Sequence, residues 1–163
     1  AAEVVRRALA QRGTGVYELG GGARFDAPNV VDALGNRFPG HVDCTGLVAY
    51  AGAYRRIWEN ATAIIDDAVG AQRRFAVVPR GTPVRAGDLL VTRTHAGVIV
   101  EVLPGFTRGG PGWWRQLRVA QSAGQSYGRM PEAVEDARGS VRVTNAYRWR
   151  KAGYFVRMLH VTD

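Results

Sequence analysis

Asp43-Cys44-Thr45-Gly46-Leu47 holds the only cysteine of the chain at the point where an apolar run takes up helical spacing. Leu47, Tyr50, Ala51, Tyr54, Ile57 and Trp58 follow at three- and four-residue steps and form one stripe, which predicts a helix from about Cys44 to Ala61. Asp43 is placed to cap it, because its carboxylate can accept the orphan amide hydrogens of the first turn. A thiol at a helix start feels the partial positive charge of that turn, so a lowered pKa is expected. Thr45 adds a hydroxyl. Gly46 would let a substrate backbone approach closely, and the helix-start amides are candidate donors to an oxyanion forming beside the sulfur.

Upstream of this stretch, residues 3–12 place Val4, Val5, Ala8 and Leu9 on one helical face, closed by Gly13. Tyr17 to Gly22 reads as loop. Pro28, Val30, Val31 and Leu34 predict a short helix, and Phe38-Pro39-Gly40 a turn that also holds His41. Downstream, a second helical piece centres on Ile64-Ile65 and is followed by loops around Pro79 and Pro83. From Asp88 the period changes to two. Strands are expected at 89–91, 95–103, 114–122, 141–147 and 154–161, with a Gly/Pro loop from Pro104 to Gly112. Helices first and strands afterwards predict an α+β fold in which N-terminal helices carrying the cysteine pack on an antiparallel sheet. Residues 1–163 are expected to form a single domain.

The composition narrows the chemistry. Hydrophobic residues at 46% and charged residues at 22% are ordinary globular values. No apolar run approaches the ~18–20 residues of a membrane span, so none is expected. Residues 1–10 carry Glu3, Arg6 and Arg7, and no signal peptide is visible. The net charge of +8 rests almost wholly on arginine, since Lys151 is the only lysine. Such a surface favours acidic partners, whether nucleic acid, anionic membrane or bacterial cell wall. The arginines are scattered, and neither zinc-finger spacing nor a long basic block is present, so nucleic acid is not the expected ligand. One cysteine cannot form an internal disulfide.

Thr94-His95-Ala96-Gly97-Val98 supplies the second half of a reactive pair, a histidine at the head of a strand. Its neighbours Ala96 and Gly97 are small and leave room for a thiol and a substrate. A polarised thiol with a positioned imidazole is the minimum apparatus for acyl transfer through a thioester, with His95 taking the proton of Cys44 and later protonating the leaving amine. Of the other histidines, His41 could line the cleft and His160 has no motif around it. A third group should hold the imidazole in one tautomer. If the loop between the two strands centres near Arg108, His95 faces Gln121, and directly opposed residues share a sheet face. Gln116, Glu101 and Ser122 remain alternatives, because a one-residue slip flips every side chain. The hydroxyl of Tyr17 could reach the cysteine or the oxyanion. Phe106, Trp113 and Trp114 with Arg108 and Arg115 would make either a substrate-binding lip or hairpin packing.

Tyr17 to Gly22, Asp43 to Leu47, Gly87-Asp88-Leu89-Leu90 and His95 to Val98, in that order, resemble the motifs of the NlpC-type cell-wall cysteine peptidases over roughly residues 3–125. The resemblance implies a reduced papain-like fold, with Cys44 as nucleophile, His95 as base, Gln121 as the orienting polar residue and Tyr17 near the thiol. It implies hydrolysis of peptide bonds in the peptidoglycan stem, commonly between D-glutamate and a diamino acid, with no metal or organic cofactor. Thr45 stands where the family usually has serine, Gln121 where histidine is more common, and the loop from Pro104 to Trp114 is longer than usual.

The expected partner is therefore peptidoglycan or a muropeptide, met by a secreted, periplasmic or cell-wall-associated monomer. An amidase effector, opposed by an immunity or inhibitor protein, and a phage lysin share the same chemistry. Acyl transfer or deamidation on the same scaffold is a further catalytic alternative. The non-catalytic alternative is a basic module that binds wall or nucleic acid.

Overall fold

A computed structural model describes residues 1–14, 17, 23–24, 30–31, 37–38, 41–54, 60–123 and 139–161. The three glycines after Tyr17, and Pro28, Leu34, Pro39, Gly40, Ile57 and Trp58, lie outside the described residues.

Among the described residues the fold is α+β. Helices α1 (Ala2–Ala10), α2 (Cys44–Ala51) and α3 (Ala61–Val69) accompany ten strands: β1 (Ala23–Arg24), β2 (Val30–Val31), β3 (Arg37–Phe38), β4 (His41–Val42), β5 (Phe75–Val77), β6 (Leu89–Val91), β7 (Ala96–Val102), β8 (Leu117–Ser122), β9 (Val141–Thr144) and β10 (Tyr154–Met158). Six of the strands form an antiparallel sheet in the order β5-β10-β6-β7-β8-β9, while β1 pairs with β4 and β2 with β3.

Period-two alternation along the central strands gives the sheet two buried faces. Leu89, Val91, Ala96, Val98 and Ala120 meet Val4, Ala8, Val48, Ile64 and Ile65 of the helices. Leu90, Ile99, Leu117 and Val119 point the other way, onto Trp149 and Phe155. Phe106, Trp113 and Trp114 cover this second face, so the long loop after β7 takes part in packing. Trp113–Gln116 form a 3-10 turn where the strand pattern was expected to begin.

Several elements depart from the sequence reading. The helix opened by Cys44 stops at Ala51. Gly52 caps it, Ala53 enters the left-handed region at φ 54°, and the Tyr54 amide turns back to the Ala49 carbonyl. A Cβ on Gly52 would lie 2.8 Å from the Tyr54 ring and 2.9 Å from the Met158 sulfur, so the bend is packed in place. Tyr50 is 37% exposed and so leaves the expected apolar stripe. A separate helix begins at Ala61, where the Asn60 side chain accepts from the Ala63 amide. The predicted helix over Val30 and Val31 is a strand paired with β3, consistent with the preference of adjacent β-branched residues for extended backbone. Phe75–Val77, read as loop, is the edge strand β5, and His41 belongs to β4 rather than a turn.

The Gly87-Asp88 motif is structural. Gly87 adopts φ 94°, a left-handed conformation that favours glycine. Asp88, 1% exposed, accepts from the Arg85 amide and receives Arg157 Nε and Nη2 in a bidentate pair, each at 2.8 Å. Arg157 also reaches the Pro83 carbonyl, so the pair ties β10 to the turn before β6.

Candidate active site

Cys44 sits at the first turn of α2, and α2 lies on β7 and β8. The Asp43 cap is formed as expected. Its Oδ1 accepts from the Gly46 amide at 2.6 Å and from the Thr45 hydroxyl at 3.2 Å, which engages both groups in holding the turn. Ser122 Oγ donates to the Val42 carbonyl at 2.9 Å and so fastens the approach to Cys44 onto the end of β8. The Cys44 sulfur lies among backbone N–H groups of Ala96, Thr45 and Cys44 itself. Ala96 follows His95 directly, so the thiol is brought to the strand end that carries the imidazole.

The thiol pKa is nevertheless raised, contrary to expectation. Burial is the main cause and the Asp43 carboxylate adds to it, against the lowering effect of the surrounding amides. At 6% exposure, the loss of water outweighs the first-turn charge.

His95 is 8% exposed. Its ring is stacked on Trp149 with centroids 5.4 Å apart and planes inclined by 29°. Nε2 lies 2.6 Å from Gln121 Oε1, Gln121 Nε2 donates to Thr144 Oγ1 at 2.6 Å, and Thr144 Oγ1 donates to the Asn145 carbonyl at 2.8 Å. This chain fixes the tautomer. The hydroxyl has one hydrogen and gives it to Asn145, so it must accept from the amide nitrogen of Gln121. The amide therefore turns its oxygen to the ring, and Nε2 must carry the proton. Nδ1 is then the lone-pair nitrogen. Burial lowers the imidazole pKa to about 4, with the charge of Arg148 acting in the same direction and the Gln121 hydrogen bond opposing both. The ring is neutral at neutral pH. Among the described residues, no hydrogen bond joins the sulfur to the imidazole.

Gln121 meets His95, but by another register. Val98 opposes Ala120 and Ile99 opposes Val119, two residues away from a hairpin that would put His95 opposite Gln121. A two-residue offset preserves the face, so the pair meets diagonally. Gly97 does not leave room for substrate. A Cβ there would lie 2.6 Å from Val119 Cγ1 and 3.0 Å from Trp149 Cη2, so the space belongs to the indole beside His95.

Tyr17 is half-buried, and residues 18–22 after it lie outside the described part of the chain. His41 pairs through its backbone with Arg24, and His160 is exposed at φ 55°. Glu101 pairs with Arg118 along the β7–β8 ladder, beyond its bulge. Thr144 and Trp149 were missed. Both follow residues 124–138, whose span hides the β8–β9 register, though a threonine amid strand valines was a visible signal. No three His, Cys, Asp or Glu side chains come together as a metal site among the described residues. No helix among them is long and apolar enough to cross a membrane.

No family model, curated protein or solved structure matches this chain.

Proposed function

We propose that the chain is a cysteine hydrolase of bacterial peptidoglycan stem peptides, built on a papain-like arrangement and acting through Cys44, His95 and Gln121. The observation that carries this reading is a sulfur at the Ala96 amide, one residue along the chain from an imidazole whose Nε2 is fixed by Gln121. In this mechanism the Cys44 proton passes to His95 Nδ1 as sulfur attacks the scissile carbonyl carbon. The C–N bond breaks, Nδ1–H protonates the leaving amine, and a thioester remains. Water then loses a proton to Nδ1 as its oxygen attacks the thioester. The carboxylic acid departs and the sulfur recovers its proton. The amides of Ala96, Thr45 and Cys44 stabilise negative charge as it develops on sulfur. Tyr17 is assigned to the substrate side of the thiol. The setting is secreted, periplasmic or wall-associated, the protein acts as a monomer, and an immunity or inhibitor protein is the partner if it serves as an effector.

A second reading, a catalytically inactive basic wall-binding module, draws on the raised thiol and lowered imidazole pKa values, which disfavour a resting ion pair. Mass spectrometry of muropeptides separates the two. Wild-type protein should generate new cleaved stems, and Cys44→Ala should leave the profile at background while melting like the parent. An unchanged profile with wild-type protein, or equal cleavage by Cys44→Ala, overturns the hydrolase reading.

A further inference from the structure

On the sheet face away from the helices lies a cleft of about 490 Å³ whose charged lining among the described residues is cationic: Arg80, Arg108, Arg150 and Lys151. No aspartate or glutamate among the described residues lines it. Two of the cations are held in place by neutral groups. Arg108 stacks 4.6 Å over the Phe155 ring and donates to the Val78 and Pro79 carbonyls. Arg150 lies 3.5 Å over the Tyr147 ring and donates to the Tyr147 carbonyl. Neither arrangement neutralises charge. Burial, and after it the charge of Arg80, disfavours the charge on Arg108, so an anion in the cleft would relieve that repulsion.

A second observation is independent of charge. Trp149 lines the same cleft, is 1% exposed, and its Nε1–H has no hydrogen-bond partner among the described residues. A Cβ on Gly153, also in the lining, would come within 3.2 Å of Trp149 Cβ and 3.4 Å of its Cδ1, so this glycine packs directly on the tryptophan side chain. A buried donor without an acceptor is costly, and an oxyanion is an acceptor.

We propose that this cleft binds an acidic peptide segment, with carboxylates on Arg80, Arg108, Arg150 and Lys151 and with Trp113 and Phe155 as its apolar wall. A guanidinium lying flat on a ring presents its N–H edge sideways, and a planar carboxylate matches that fork. The cations come from three separate segments around the cleft, which suits carboxylates spaced along a chain better than one compact multivalent ion. Trp149 contacts the ring of His95, so a peptide anchored here is one indole away from the base. The proposal deepens the hydrolase reading and rests on it only in taking the acidic segment to belong to a substrate.

Isothermal titration calorimetry with pentaglutamate, pentaglutamine and tripolyphosphate tests it without turnover. Pentaglutamate should bind and pentaglutamine should not. The double variant Arg80→Gln/Lys151→Gln, both exposed positions, should weaken pentaglutamate binding about tenfold or more. Trp149→Phe, which keeps a ring but removes the donor, should weaken it about two- to tenfold. Arg6→Gln/Arg73→Gln removes the same charge outside the cleft and should change little. Binding of tripolyphosphate but not pentaglutamate overturns the proposal, as does equal weakening by the two double variants. No readout needs cleavage, so failure here leaves the hydrolase reading standing, and an inactive protein that binds leaves the cleft standing.

Discussion

Asp88 with Arg157 and His95 with Gln121 are two buried polar groupings of one sheet, and they use their hydrogen-bonding capacity in opposite ways. The first is a charged bidentate pair whose carboxylate also takes an amide and whose guanidinium also reaches a backbone carbonyl, so it ends in structural contacts on both sides. The second is a neutral chain from ring to amide to hydroxyl to backbone carbonyl, and it leaves Nδ1 of the ring unused. Proximity to a sequence motif does not separate them, since both lie in motifs. What separates them is leftover valence: Asp88 holds strands together, and His95 retains an atom that can take a proton.

The strongest test removes the charged pair. Asp88→Ala removes the buried acceptor of the part-exposed Arg157 and of the Arg85 amide, and should cost about 3 kcal/mol of unfolding free energy by denaturant titration. Turnover per folded molecule should persist, and its selective loss would erase the distinction. Acid is the next lever. His95 has its pKa lowered from 6.5 to about 4 in the folded chain, so the unfolded chain binds the proton more readily between those values. The contribution of neutral His95 is present above about pH 6.5 and is lost as pH falls toward 4, on the order of 3 kcal/mol. A His95→Gln variant should lack this component of the slope, and identical slopes would place the ring in water. The acid limb of kcat/KM should likewise fall near pH 4 rather than 6.5.

Smaller effects sharpen the comparison. Gln121→Ala should lower kcat about 100-fold by freeing the tautomer, with KM changed less. Thr144→Val should lower kcat about tenfold, and Thr144→Ser should restore it, since only the hydroxyl fixes the amide of Gln121. A Thr144→Val enzyme with unchanged kcat would reduce Thr144 to packing.

The central part of the fold was legible because it obeys short periods. Leu89–Val91, the alternation after His95 and the capped start of α2 follow from spacing alone. The end of that helix did not, because Gly52 and Ala53 turn the chain against Met158, a residue far away in sequence. The face shared by His95 and Gln121 was legible although its register was two residues off, since parity survives an even error. The thiol pKa was misjudged for a physical reason: a helix start is a local property, whereas burial depends on every element packed around Cys44. Thr144 and Trp149 were hidden by the same non-locality.

Gly97 carries one last consequence. Its missing side chain admits the indole of Trp149, so the His95 ring is packed by a residue far downstream of the stretch that holds Cys44, His95 and Gln121. The smallest unit that could act as proposed is therefore longer than its motifs. A fragment trimmed after Ser122 would keep Cys44, His95 and Gln121, yet lack both the indole against the imidazole and the hydroxyl that orients its amide partner.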